Sequence, residues 1–142
     1  MIKLVETSSG FVLSYPLWLG ILTIAGIALI GYAARPKAEV KKRWGIIVAG
    51  AVLMWGGIFF ATFKVTLTAE SGRVYGFLRY NERIEWTDAT AAAVVQRSGK
   101  GGPSYFLVVA NRSGGEFELP LGGLNDGERQ RVVAYVLSKM PR

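Results

Sequence analysis

Residues 16–34 read PLWLGILTIAGIALIGYAA and residues 44–63 read WGIIVAGAVLMWGGIFFATF, two runs without a single charged side chain. At about 1.5 Å of rise per residue, each would extend roughly 28–30 Å, the thickness of a bilayer's hydrocarbon core. The reading that follows is a membrane helical hairpin with spans over about 15–34 and 44–63. Ser14 and Pro16 suit the start of the first span, as a capping hydroxyl and a first-turn proline. Tyr15, Trp18, Tyr32 and Trp44 fall where amphipathic rings collect at membrane interfaces. A chain of 142 residues is too small to surround two wholly apolar helices of that length with a soluble core. A cleaved signal peptide fits the first run poorly: Lys3 and Glu6 leave its start without net positive charge, and Tyr32-Ala33-Ala34 is a poor processing site.

Between the runs lies the linker 35–43, in which Arg35, Lys37, Lys41, Lys42 and Arg43 are basic. Short basic loops stay on the cytoplasmic side. The expected location is therefore a bacterial inner membrane, multi-pass, with this loop cytoplasmic and both termini periplasmic or extracellular. Lys64, Arg73, Arg79 and Arg83 partly offset that count. The same five residues are candidate contacts for anionic headgroups, although a topology signal alone accounts for them. The chain carries +7 overall, but so short a basic loop offers no groove-sized surface, and nucleic acid is not expected as a partner.

Gly45, Ala49, Gly57 and Ala61 fall on one four-residue repeat interrupted by Leu53, which makes them a candidate helix-packing interface. Two uses are open: packing on the first span, or packing on a partner's membrane helices. Trp55, near the middle of the run, could fill a groove on a neighbouring helix or face lipid.

From Lys64 the pattern changes to short alternating runs. Strands are expected over 64–70, 73–80, 83–86, 89–97, 104–110 and 116–121. The first two are joined by a turn at Ser71-Gly72, and Gly99-Lys-Gly-Gly-Pro103 and Asn111-Arg-Ser-Gly-Gly115 form later loops. The chain then becomes helical over 126–140. Asn125 caps that helix with Glu128 in the capping-box position, and Val132, Val133, Val136, Leu137 and Met140 fall on its apolar face. Two domains result: 1–63, a tail and the membrane hairpin, and 64–142, a mainly-β unit closed by a helix.

The hairpin leading directly into a strand, the junction Ile84-Glu85-Trp86-Thr87-Asp88 and the helix start Asn125-Asp126-Gly127-Glu128-Arg129 together resemble the bacterial pleckstrin-homology-like (PH-like) membrane proteins. The resemblance covers Phe63 to Met140. It implies a bent, partly open barrel of about seven antiparallel strands capped by a C-terminal helix, where the residues themselves show six. Phosphoinositide binding does not carry over, because the first hairpin offers only Lys64 and Arg73 and lacks a long basic loop.

The chain has no cysteine and no histidine, which excludes disulfides, thiolate nucleophiles, Cys/His zinc sites and imidazole bases. The carboxylates of the second domain show no paired spacing on an apolar run, and no oxygen-ligand cluster is visible. Asp88 reads as a turn cap, and Glu116 and Glu118 as a solvated strand face. The Gly-rich segment at 98–102 lacks phosphate-loop spacing and does not open a helix. No catalytic residue, cofactor or metal is therefore expected. With 51% hydrophobic and 19% charged residues, the expected role is a non-catalytic membrane accessory or scaffold subunit. It would bind a larger membrane complex through its hairpin and its PH-like domain. The alternative is a lipid- or small-ligand-binding sensor that self-associates, with Tyr75, Phe77, Tyr105 and Phe117 as pocket residues.

Overall fold

The computed structural model describes residues 2–36, 39–76 and 81–142. It is a mixed α+β protein with two antiparallel sheets, one of five strands and one of three, and three α-helices. The sheets do not close into a barrel. The chain divides into a sheet unit, residues 1–14 with 64–142, and a helical unit, residues 15–63.

The first sheet is a meander whose neighbours in sequence are neighbours in space: β1 (Lys3–Thr7), β2 (Gly10–Ser14), β3 (Lys64–Thr68), β4 (Ser71–Tyr75) and β5 (Glu82–Glu85). The expected N-terminal tail is thus two strands, which raises the strand count from six to eight. Leu13 pairs with Val65, and Ser14 with Lys64, so the sheet resumes beside the residue at which it was interrupted. The whole of 15–63 is inserted between two paired strands, and the sheet unit does not begin at residue 64. Alternation builds the buried face here: Phe11, Leu13, Val65, Leu67 and Val74 are all buried while their neighbours face outward.

Ser71-Gly72, expected as a turn, lies inside β4 instead. The reversal occurs at Ala69-Glu70, where Thr68 Oγ1 accepts a hydrogen bond from Ser71 N at 3.1 Å. Gly72 serves packing: a Cβ there would come within 2.6 Å of the Trp86 ring. Trp86 opens a short 3-10 turn (Trp86–Asp88). Its ring is 2% exposed, and its indole Nε1 donates to the Thr68 carbonyl at 2.9 Å, which satisfies its one polar atom. The strand expected over 73–80 ends at Tyr75, and residues 77–80 lie outside the described residues.

The second sheet has the order β6 (Ala89–Gly99), β7 (Gly102–Asn111) and β8 (Glu116–Pro120). The glycine segment after Ser98 is its hairpin, with Gly102 at φ +103°, a conformation that glycine reaches without strain. Leu107, Val109, Phe117 and Leu119 form its inner face.

Helix α3 (Asp126–Lys139) starts on the expected capping box, with both reciprocal bonds between Asn125 and Glu128 formed. Val132 and Val136 are fully buried, each contributing about 1.5–3 kcal/mol. Leu137, expected on the same face, is 51% exposed. It follows Val136 by one residue and so is rotated by about 100° around the helix. The outer side of α3 grips the β1–β2 turn. Arg131 pairs with Glu6 at 2.6 Å, Tyr135 Oη donates to Ser9 O at 3.1 Å, and the Tyr135 ring meets Phe11 edge-on.

Removing the Trp86 ring leaves a cavity in a closed core, and Trp86→Ala is expected to cost about 3–5 kcal/mol. Hydrogen exchange of the full chain in detergent would show this as lost protection in β3, β4 and β5 together. Unchanged protection there would mean that the ring is not part of the core.

Candidate functional site

The helical unit begins with Pro16, which has no N–H to donate and whose carbonyl accepts from Leu19 N at 3.0 Å. A 3-10 turn (Leu17–Gly20) runs straight into α1 (Ile21–Ala33). Ser14 is therefore a strand residue and not a helix cap. Helix α2 covers Val40–Thr62, four residues more at its start than the expected span. Lysine and arginine are good helix formers, and Lys41, Lys42 and Arg43 occupy its first turn instead of a loop. Of two expected spanning helices, α2 alone among the described residues is long and apolar enough to cross a membrane; Leu17–Ala33 is a shorter apolar segment.

The two helices run antiparallel and touch backbone to backbone. A Cβ on Gly26 would lie 2.5 Å from the Gly50 carbonyl oxygen and 2.6 Å from Met54 N, and one on Gly50 would lie 2.8 Å from Gly26 O. One on Gly57 would strike Thr23. Small residues at these crossings allow an approach that any side chain would prevent. The working interface is thus Thr23, Gly26 and Ile30 against Gly57, Met54 and Gly50.

Of the four stripe residues expected to pack together, only Gly57 does so within the chain. Gly45, Ala49 and Ala61 are exposed, and the space around Gly45 is open. A four-residue repeat drifts around a 3.6-residue helix, so its members part company over four turns. The signal that would have found the contact is the seven-residue spacing from Gly50 to Gly57, read together with Gly26.

The outward faces are apolar. Leu17 is 89% exposed, Trp18 67% and Ile24 67%, and on α2 Trp44 is 66% and Val52 66% exposed. Trp55 also faces outward, at 49%. A helix pair in water carries its polar residues on that side; this pair carries branched aliphatics and tryptophan.

The basic residues at the turn are only partly available. Arg43 donates to the Ala34 carbonyl at 3.5 Å, using an acceptor left over at the end of α1. Lys42 pairs with Glu39 at 3.0 Å. Arg35 is exposed with its guanidinium 5.5 Å from the centre of the Tyr32 ring, and Lys41 is exposed. Lys37 lies outside the described residues.

In the sheet unit the described members of the aromatic set expected to line a pocket, Tyr75, Tyr105 and Phe117, have separate surroundings. Phe117 is buried in the core, the Tyr105 ring lies 4.0 Å beneath the Arg129 guanidinium, and the Tyr75 hydroxyl accepts from Arg73 at 2.6 Å. Phe77 is outside the described residues. Glu118 is less solvated than expected: Arg97 donates to both of its oxygens, at 3.1 and 2.5 Å, and this holds the Arg97 guanidinium above its ordinary pKa. Asp88 accepts from Arg112 N through its backbone carbonyl at 2.9 Å. Among the described residues no group of acidic side chains could hold a metal ion.

No protein-family model and no curated protein matches this chain.

Gly50→Leu and Gly57→Leu would each force the helices apart and are expected to cost about 1–3 kcal/mol. Gly45→Leu and Ala49→Leu should leave the pair intact. Thermal loss of helical circular dichroism in detergent separates the two classes, and equal effects at all four positions would refute this assignment of faces.

Proposed function

We propose that the protein is a non-catalytic integral membrane accessory or scaffold subunit, with residues 15–63 in the bilayer and a PH-like sheet unit outside it. One observation carries the membrane reading. The inserted segment leaves the sheet at Ser14 and returns at Lys64, the residue paired with it. If α2 crosses the bilayer, the chain must cross back, and among the described residues Leu17–Ala33 is the other apolar helical segment of the insertion. Its 17 residues would reach roughly 25 Å, enough for a slightly thinned bilayer. The apolar outward faces of both helices support the same reading.

In this arrangement the sheet unit and both termini lie on one side and the turn between α1 and α2 on the other. The basic residues Arg35, Lys41, Lys42 and Arg43 then favour the cytoplasm for the turn, beside anionic headgroups. The PH-like reading is supported by two antiparallel sheets followed directly by a C-terminal helix; the fifth strand of the first sheet is an addition to the seven that the resemblance implies. The partner surface within the membrane would be the outward side of α2 around Gly45 and Ala49, against helices of a larger complex in a bacterial inner membrane; Ala61 lies on a different side.

Because the chain has no cysteine, single cysteines report sidedness without background. Gly101→Cys and Gly114→Cys should react with an impermeant maleimide from one face of sealed vesicles, and Glu39→Cys from the other. Reaction of Gly101→Cys and Glu39→Cys from the same face would rule out the two crossings. Intact-complex mass measurement after gentle extraction tests the accessory role, for which a larger partner in fixed stoichiometry is expected.

A further inference from the structure

Strand β6 is long, and among the described strands it pairs with β7 alone. Among the described residues, no strand pairs with the backbone N–H and C=O groups along its other side. Natural edge strands are guarded by lysine, proline, bulges or short length. β6 has none of these along its centre: residues 89–96 read ATAAAVVQ, without charge or proline, and the one irregularity of pairing is at its start, between Ala89 and Ala91. Val94 is 47% exposed and Val95 36%. Alongside lies an apolar groove of about 300 Å³ lined by Val94, Arg129, Gln130, Val133, Ala134 and Leu137.

The charges at the two ends of the strand single out an occupant. Before β6 stand Glu85 and Asp88; after its neutral centre come Arg97 and Lys100, and all four are exposed. Within the chain Glu85 shares Arg83 and Arg97 shares Glu118, so Asp88 marks the acidic end and Lys100 the basic one. An identical strand running antiparallel, centred on Ala93, sets Arg97 opposite Ala89, the end of the strand that adjoins Asp88. Each basic end then lies beside the other copy's Asp88, and Val94 and Val95 face Ala92 and Ala91, large against small. We infer that the β6 edge is a homodimer interface. Two copies join β6 to β6 about a two-fold axis at Ala93, turning two three-stranded sheets into one of six strands and covering the grooves beside them. This inference rests on the sheet unit alone and stands whether or not the helical unit crosses a membrane.

Single cysteines at Ala91, Ala92, Ala93, Val94 and Val95 of the full chain in detergent test it by oxidative cross-linking. Ala93→Cys should cross-link several-fold faster than its neighbours, because only there do identical residues lie opposite each other. Intact mass should show a dimer. Val95→Lys, at an exposed position, should raise the dissociation constant about tenfold or more, and suppress the Ala93→Cys cross-link while leaving the β-sheet circular dichroism unchanged. A monomeric wild-type chain, cross-linking equal at all five positions, a dimer indifferent to Val95→Lys, or a segment of another protein seated on β6 would each overturn it.

Discussion

The register pair Ser14–Lys64 is the constraint on which the rest of the molecule depends. An antiparallel sheet tolerates an insertion between two of its strands only if the inserted chain returns to within one strand spacing, about 5 Å, of where it left. Two helices of opposite direction meet that requirement, and an odd number does not. The same pairing explains why residues 3–14 are structured at all. A two-stranded hairpin is marginal by itself; joined to β3 it becomes part of a five-stranded sheet whose inward residues are buried.

The two units are held together internally by different physics. In the sheet unit, stability comes from apolar side chains withdrawn from water: Leu13, Val65, Val109, Leu119 and the valines of α3. In the helical unit most large side chains point outward, and what touches is backbone, through Gly26, Gly50 and Gly57. If this unit lies in hydrocarbon, as proposed above, hiding leucine from its surroundings brings no gain, and close packing and dispersion would decide which helix faces meet. The placement of glycine inside and isoleucine, valine and tryptophan outside is the inverse of an aqueous bundle.

Much of this was legible in the sequence, and the exceptions have physical causes. The six strands after Phe63 and the capping box at Asn125 carry strong local signals, period-two alternation and a side-chain cap, and each lies within a few residues of where it was expected. Strands β1 and β2 did not stand out, because the uncharged stretch that begins at Thr7 merges β2 with the apolar run behind it. Their partner β3 lies some fifty residues away, a distance that no local pattern encodes. Gly72 illustrates a second limit. A Ser-Gly pair is a turn by propensity, but here the glycine makes room for an indole fourteen positions later. On α2 the small residues were visible, but which of them meet α1 depends on the phase of both helices. A repeat read along one helix cannot supply that phase. The β6 edge was invisible for the opposite reason: its sequence announces a strand and says nothing of which neighbours that strand lacks.

The clasp between α3 and the β1–β2 turn also bears on how the chain is made. Arg131 and Tyr135 reach back across 125 and 126 positions to Glu6 and Ser9, so strands β1 and β2 are completed by a helix synthesised well after them. At ordinary rates of synthesis the interval is roughly 6–25 seconds. Through that time Phe11 lacks the Tyr135 ring that meets it edge-on in the finished protein, and β2 waits for β3 until the entire helical segment has been synthesised. The β1–β2 hairpin of the nascent chain thus gains its strand partner before its helical clasp, and a chain truncated before α3 would have β3 beside β2 but not the Arg131 and Tyr135 contacts.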